Sequence, residues 1–389
     1  MVDIVLPYGR APYHLRLDAP VHVVEARGPD GPAPTLAPVL AAALDAPIGS
    51  ARMEDRVRAG DRVTVVVSDA SRDEPRAELL EAVRERLPPV QLTVAVATGT
   101  HGPCAGGDPG AIAAALGIPE RLLAGARIVD HDGHRRDDLV PVGVTRRGTP
   151  VVLHRCAVEA DLVVATGAIR PHYFAGFGAG IKAIFPGLGG ATEIRINHQL
   201  KQAPGARAGV VDGNPCREDL EEVVELLPGG CFVLDTVCDP DDVARAAVAG
   251  DPRAALRAGV AIARPWFEVA APRTRWVVAS DRLPVTASLY QASKLVAAVA
   301  PLLDDDGTIV VVAECGDGIG GVDVVNRAIY DIGLRPRLPA RHRVVLVSAL
   351  DAATVAPSYA RWAARAEDVL ADATGPIVVA PHASKMLVA

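Results

Sequence analysis

The sequence predicts an α/β protein of two domains, each with a mostly parallel sheet flanked by helices. Two observations carry this. Short runs of apolar, β-branched residues recur along most of the chain, and runs that do not alternate with polar residues mark strands covered on both faces. Between them lie alanine-rich stretches of helical length, so strand and helix alternate as βαβ units require.

In chain order, strands are expected over 62–69, 92–99, 162–167, 231–235, 276–280, 308–314 and 343–349. Helices are expected over Pro75–Arg86, Tyr290–Leu303 and Tyr359–Ala371. Pro and Arg interrupt the pattern between Ala263 and Trp276 before a fresh strand-helix series begins. The domains are therefore expected at 1–265 and 270–389.

Length and composition bound the function. With 389 residues, half of them hydrophobic and 22% charged, the chain can bury two ordinary cores. A formal charge of -7 argues against nucleic acid or an anionic membrane as partner. The first residues, MVDIVLPYGR, carry no basic segment followed by an apolar one, and no apolar run reaches the roughly 18 residues a membrane span needs. The cysteines at 104, 156, 216, 231, 238 and 315 show no C-x-x-C spacing, so neither a zinc ribbon nor a disulfide framework is expected. Cytoplasmic residence is the default expectation.

Lysine occurs only four times against thirty-six arginines. Where arginine serves as the ordinary positive charge, a retained lysine marks a need for an amine, which can be acylated or tuned by burial. Lys182 lies in the densest motif of the chain, RPHYFAGFGAGIKAIFPGLGG, with His172 before it and His198 after it. Its glycines, Gly178 and Gly180 among them, let a backbone approach a ligand and are expected to offer amide N–H groups to an anion. The spacing matches neither a Walker A loop nor a dinucleotide fingerprint.

In α/β folds chemistry gathers just past the strand ends. Asp69 and Arg72 follow the first expected strand in DASRDEP, His101 follows the second in TGTHGP, and His172 follows the third in RPHY. Tyr290, Gln291 and Lys294 open a helix in the second domain. His131, His134 and His154 read as solvated loop residues. Gly316–Gly321 matches G-x-G-x-x-G, but the next strand-end acid, Asp351, lies too far on for a ribose contact.

Together DASR, TGTH, RPHYFAGFGAGIKAIFPG, INHQ and YQASK resemble the lactate racemase family. The resemblance implies a racemase or epimerase that inverts C2 of a 2-hydroxy acid, with the second domain closing over the active site. It also implies a nickel-pincer nucleotide, a pyridinium nucleotide joined covalently to Lys182 and holding nickel through a carbon and two sulfurs, with His198 as the remaining nickel ligand. His101 and His172 match the acid/base histidines. Asp69, Gly178 and Gly180 fall among cofactor contacts, and Arg72, Tyr290, Gln291 and Lys294 among substrate contacts. Proteins that make the cofactor are implied as maturation partners. The chain departs from the family pattern at Gly178-Ala179-Gly180, where Ser-Gly-Gly is common, at Ser71, where threonine is usual, and at Gly102, where arginine is frequent. Two other classes fit the residues: an NAD(P)-dependent dehydrogenase using the Gly316–Gly321 loop, and a non-catalytic small-acid binding protein.

Overall fold

A computed structural model describes residues 2–388. The chain forms two compact units, one of Gly28–Pro265 and one of Met1–Arg27 with Trp266–Ala389. The first 27 residues thus depart from the expected 1–265 domain. The cause is strand pairing and leucine burial: Val21–Val23 joins the Ile377–Ala380 strand in parallel, and Leu6, Leu15 and Leu17 pack against Val278, Val310 and Val379.

The Gly28–Pro265 unit is built on a six-stranded sheet. Its spatial order is Ala244–Gly250, Cys231–Cys238, Leu162–Ile169, Arg62–Ser68, Gln91–Ala97, Arg127–Asp130. All neighbours run parallel except the first pair. Numbered along the chain, this is the doubly wound order 3-2-1-4-5-6, whose direction of winding reverses between Arg62–Ser68 and Leu162–Ile169. The valine-rich strands are buried on both faces, with Val63, Val65, Val66 and Val67 fully covered, each contributing about 1.5–3 kcal/mol of apolar burial. Helix starts follow local chemistry. The Asp108 side chain accepts from Ala111 N–H ahead of Pro109–Leu116, and Asn214 accepts from Cys216 and Arg217 ahead of Pro215–Glu225.

The other unit carries an all-parallel sheet ordered Arg361–Ala363, His342–Val347, Leu303–Val312, Thr274–Ser280, Ile377–Ala380, Val21–Val23. The helix expected over Tyr359–Ala371 is replaced by the Arg361–Ala363 edge strand and a short Ala366–Leu370 helix. Pairing with Val345–Val347 overrides the helical composition of this stretch. The helix expected from Tyr290 runs over Leu289–Val299, capped by the Ser288 hydroxyl. Among the described residues no helix is long and apolar enough to cross a membrane.

Candidate active site

The winding reversal places two strand ends side by side, and the crevice outside such ends is where doubly wound sheets bind ligands. Asp69 follows the Arg62–Ser68 strand and Arg170-Pro171-His172 follows Leu162–Ile169. The next strand outward, Gln91–Ala97, leads to His101. The Gly99 amide donates to Gly187 O at 2.9 Å and the Gly187 amide to Lys182 O at 3.0 Å, so the His101 loop is tied to the lysine segment.

Asp69 and His101 form a dyad, with Oδ2 and Nδ1 2.7 Å apart. Asp69 is buried while the His101 side chain is half exposed. Burial opposes ionisation of Asp69, but hydrogen bonds from His101 and Ser71 outweigh it and hold the carboxyl at about 2. The Ser71 amide, 2.9 Å from Oδ1, and the Ser71 hydroxyl both donate to it. An ionised Asp69 requires a proton on His101 Nδ1, so in the neutral ring Nε2 is the acceptor.

His172 is differently poised. Its Nδ1 accepts the Ala175 amide at 3.2 Å, so in the neutral ring Nε2 carries the proton. Its ring meets Phe174 edge-on, with centroids 4.6 Å apart. Phe174 also meets the His198 ring at 5.2 Å and lies 5.9 Å from Lys182 Nζ. One buried phenyl ring therefore gathers His172, Lys182 and His198.

His198 ends the Ala191–His198 helix. Its Nδ1 is buried with no hydrogen-bond partner among the described residues. Burial, reinforced by the Lys182 and Lys201 charges, pushes the ring down to about 4, so it is neutral at ordinary pH and has a lone pair to give. The Ile194 carbonyl, one helical turn back, pulls the other way. Among the described residues no three His, Cys, Asp or Glu side chains are grouped to hold a metal. A metal at His198 would take its other donors from a bound group, and a neutral imidazole with a spare lone pair suits that arrangement.

Gly178 and Gly180 depart from the expected amide cradle. Gly178 N–H donates to Arg170 O and Gly180 N–H to Asp235 Oδ1, both at 2.7 Å. These donors are spent inside the protein. Gly176 has φ +77, and a Cβ there would collide with the Val210 carbonyl. Gly102 has φ +83 with open space around it, which favours glycine at this departure from the family pattern.

Four supporting residues escaped the sequence reading. The Arg170 guanidinium pairs with Asp242 at 2.7 Å and donates to the Asp73 carbonyl at 2.5 Å, tying His172's strand to the loop of Asp69 and Arg72. Asn214 donates to Phe174 O at 2.9 Å, and buried Arg217 donates to the Ala175 and Phe177 carbonyls. Asp235 is the fourth. Their partners lie 40 or more residues away in the chain, so only Arg170, inside RPHY, carried a local signal.

His131 and His154 are buried, against the expectation of solvated loops. His131 Nε2 lies 2.9 Å from Gly189 O, the two rings meet edge-on, and His154 Nδ1 accepts the Cys156 amide. Arg72 is exposed in its turn. Tyr290, Gln291 and Lys294 lie in the other unit, where Lys294 Nζ donates to Gln291 Oε1 at 2.6 Å and Tyr290 is partly exposed. There the Gly316–Gly321 loop receives the first amides of the Leu289–Val299 helix, from Leu289 to Gly318 O and Tyr290 to Ile319 O. The glycines of that loop serve a helix start.

Residues 8–209 match the family model described as the lactate racemase N-terminal domain. A lactate racemase of Thermoanaerobacterium thermosaccharolyticum is 31% identical over 286 residues, covering 72% of this chain and 66% of that protein. One of Lactiplantibacillus plantarum is 29% identical over 285 residues, with the same coverage. Among solved structures, the apoprotein of the T. thermosaccharolyticum lactate racemase superposes with a TM-score of 0.86 at 24% identity, covering both chains fully. A Thermotoga maritima protein gives 0.63 at 16% identity over 86% of this chain and 95% of its own.

Proposed function

Because the chain belongs to the lactate racemase family, we propose that it is an isomerase that interconverts the C2 configurations of a 2-hydroxy acid, using a nickel-pincer nucleotide held by Lys182 and His198. The observation that carries this reading is the convergence of an amine, a neutral imidazole with an unpartnered nitrogen, and a second histidine on Phe174. Lactate is the substrate named for the relatives. Proteins that synthesise the nucleotide would be the maturation partners.

A C2 hydrogen beside a carboxylate is a poor acid, because the carbanion left behind is little stabilised. Removal as hydride avoids that species. When bound, the nucleotide supplies an electrophilic ring able to take up and return a hydride. The chain's own residues handle the proton and the orientation. His101, fixed by Asp69, presents Nε2 as acceptor for the substrate hydroxyl proton. His172, with its proton on Nε2, presents a donor to the oxygen. Rotation of the His172 ring away from the Ala175 amide would free it for the opposite role. Arg72 holds the substrate carboxylate with a planar fork. Tyr290, Gln291 and Lys294 are assigned to substrate contacts from their motif.

The test is the intact mass and nickel content of protein made in a host with the cofactor-synthesis enzymes, together with loss of optical rotation from a single lactate enantiomer. A mass equal to the bare chain in a protein that nevertheless racemises lactate would overturn the covalent-cofactor reading. Absence of racemisation by fully loaded protein would overturn lactate as substrate.

A further inference from the structure

We propose that Asp235 is a positioning residue for Lys182, acting through the Gly180 amide to fix the turn from which the lysine projects. This rests on the reading of Lys182 as the attachment point. Asp235 lies in the Cys231–Cys238 strand, 1% exposed, with Gly167 as its partner on the neighbouring strand. Its Oδ1 accepts the Gly180 amide at 2.7 Å. Gly180 precedes the Ile181–Ile184 turn, whose bonds from Lys182 N to Ala179 O and Ala183 N to Gly180 O start at that amide.

Three backbones converge on this carboxyl group. A Cβ on Gly180 would meet Ala165 O at 2.8 Å and Asp235 Oδ1 at 2.9 Å. One on Gly167 would meet Gly180 N at 2.7 Å and the same carboxyl oxygen at 3.1 Å. Two glycines thus make room for one acidic side chain. Among the described residues Asp235 forms no ion pair within 4 Å. The charged groups acting on it are Glu74 and Arg217, whose own hydrogen bonds go to Ser68 and to the Ala175 and Phe177 carbonyls. Burial, with Glu74 adding, pushes its carboxyl up to about 7 against the opposing pull of the Gly180 amide and Arg217. Capping one amide needs no carboxylate, since a neutral side chain does it without the desolvation penalty of a buried charge. What the site keeps is an acceptor of fixed reach, held between Gly167 and Gly180 and aimed at the amide that opens the Lys182 turn.

The four lysines supply the test, because Lys294 and Lys385 lie in the other unit and serve as internal references. Trace acetylation of the chain made without cofactor enzymes, read peptide by peptide, measures Lys182 relative to them. Asp235→Ala should change the Lys182 ratio threefold or more. Asp235→Asn, which keeps an acceptor for the Gly180 amide, should leave it within a factor of 1.5. If the alanine protein melts below the assay temperature, Asp235→Ser, polar but too short to reach Gly180, replaces it. An unchanged ratio in a folded Ala or Ser variant, or an equal change in the Asn variant, overturns the proposal. The labelling uses bare chain, so its outcome stands apart from whether Lys182 carries an adduct in loaded protein.

Discussion

His101 Nδ1 sits 2.7 Å from the buried carboxylate of Asp69, so in the neutral ring Nε2 is the bare acceptor. The pairing selects a tautomer, and the tautomer selects the direction of proton flow. An amide in place of the carboxylate offers no charge to stabilise the protonated ring. Asp69→Asn is expected to lower the racemisation rate by roughly 10²- to 10⁴-fold, the usual worth of a positioned acid/base group. The Lys182 adduct should persist in the intact mass. Near-normal turnover in this variant would mean the dyad is structural only.

Lys182→Arg should abolish both adduct and activity, since a guanidinium cannot make the amine's covalent link. The side chain is partly exposed, so the melting temperature should hold within a few degrees. Intact mass, a racemisation assay and a thermal melt on one preparation decide it, and full activity would remove lysine from the mechanism.

His198→Ala should strip nickel while leaving the organic adduct on Lys182. The change removes a buried nitrogen that has no hydrogen-bond partner among the described residues, so the stability it costs comes from the lost ring packing against Phe174 and not from a broken hydrogen bond. Metal analysis per chain reads the outcome; unchanged nickel would transfer the ligand role elsewhere.

The parallel sheets were legible because their strands are buried on both faces and leave long valine runs. Asp69, His101 and His172 drew notice as candidates because they sit just past such runs, and Lys182 because lysine is scarce in this chain. The winding order that joins them was not, since pairing of the Arg62–Ser68 strand with one a hundred residues later leaves no local trace. Asp235, Arg217 and Asn214 act on backbone groups 40 to 55 residues away, and their own surroundings read as ordinary strand and helix. Residues 1–27 were misassigned for the same reason: a three-residue strand does not announce its sheet.

Folded stability should fall as pH drops from about 6.5 toward 4. Burial drives the His154 ring from 6.5 down to about 4, with His131 adding, and burial lowers His131 as well. A base whose folded proton affinity is depressed favours folding above its unfolded value near 6.5, and that advantage disappears as pH falls through the folded value. For His154 the shift corresponds to up to about 3 kcal/mol. Denaturant melts of His154→Asn, whose carboxamide oxygen can still accept the Cys156 amide, should show a flatter slope across this range. An identical slope would assign the acid sensitivity to other groups.

His101 and His172 are expected to serve opposite enantiomers, because inversion needs a proton acceptor for each hydroxyl. Their resting forms differ: His101 presents a bare Nε2, while His172, with Nδ1 engaged by the Ala175 amide, presents Nε2–H. In the first turnover, therefore, the enantiomer whose hydroxyl faces His101 should react faster. At steady state either alanine variant must slow both directions together, by roughly 10²- to 10⁴-fold, since equilibrium links them. A single turnover with C2-deuterated substrate separates the two. His101→Ala should lose label transfer from the faster enantiomer and keep it from the slower, and His172→Ala should do the reverse. Retention of transfer from the same enantiomer in both variants would place the two histidines on one side of the substrate, and undiminished racemisation in both would leave the proton with another group.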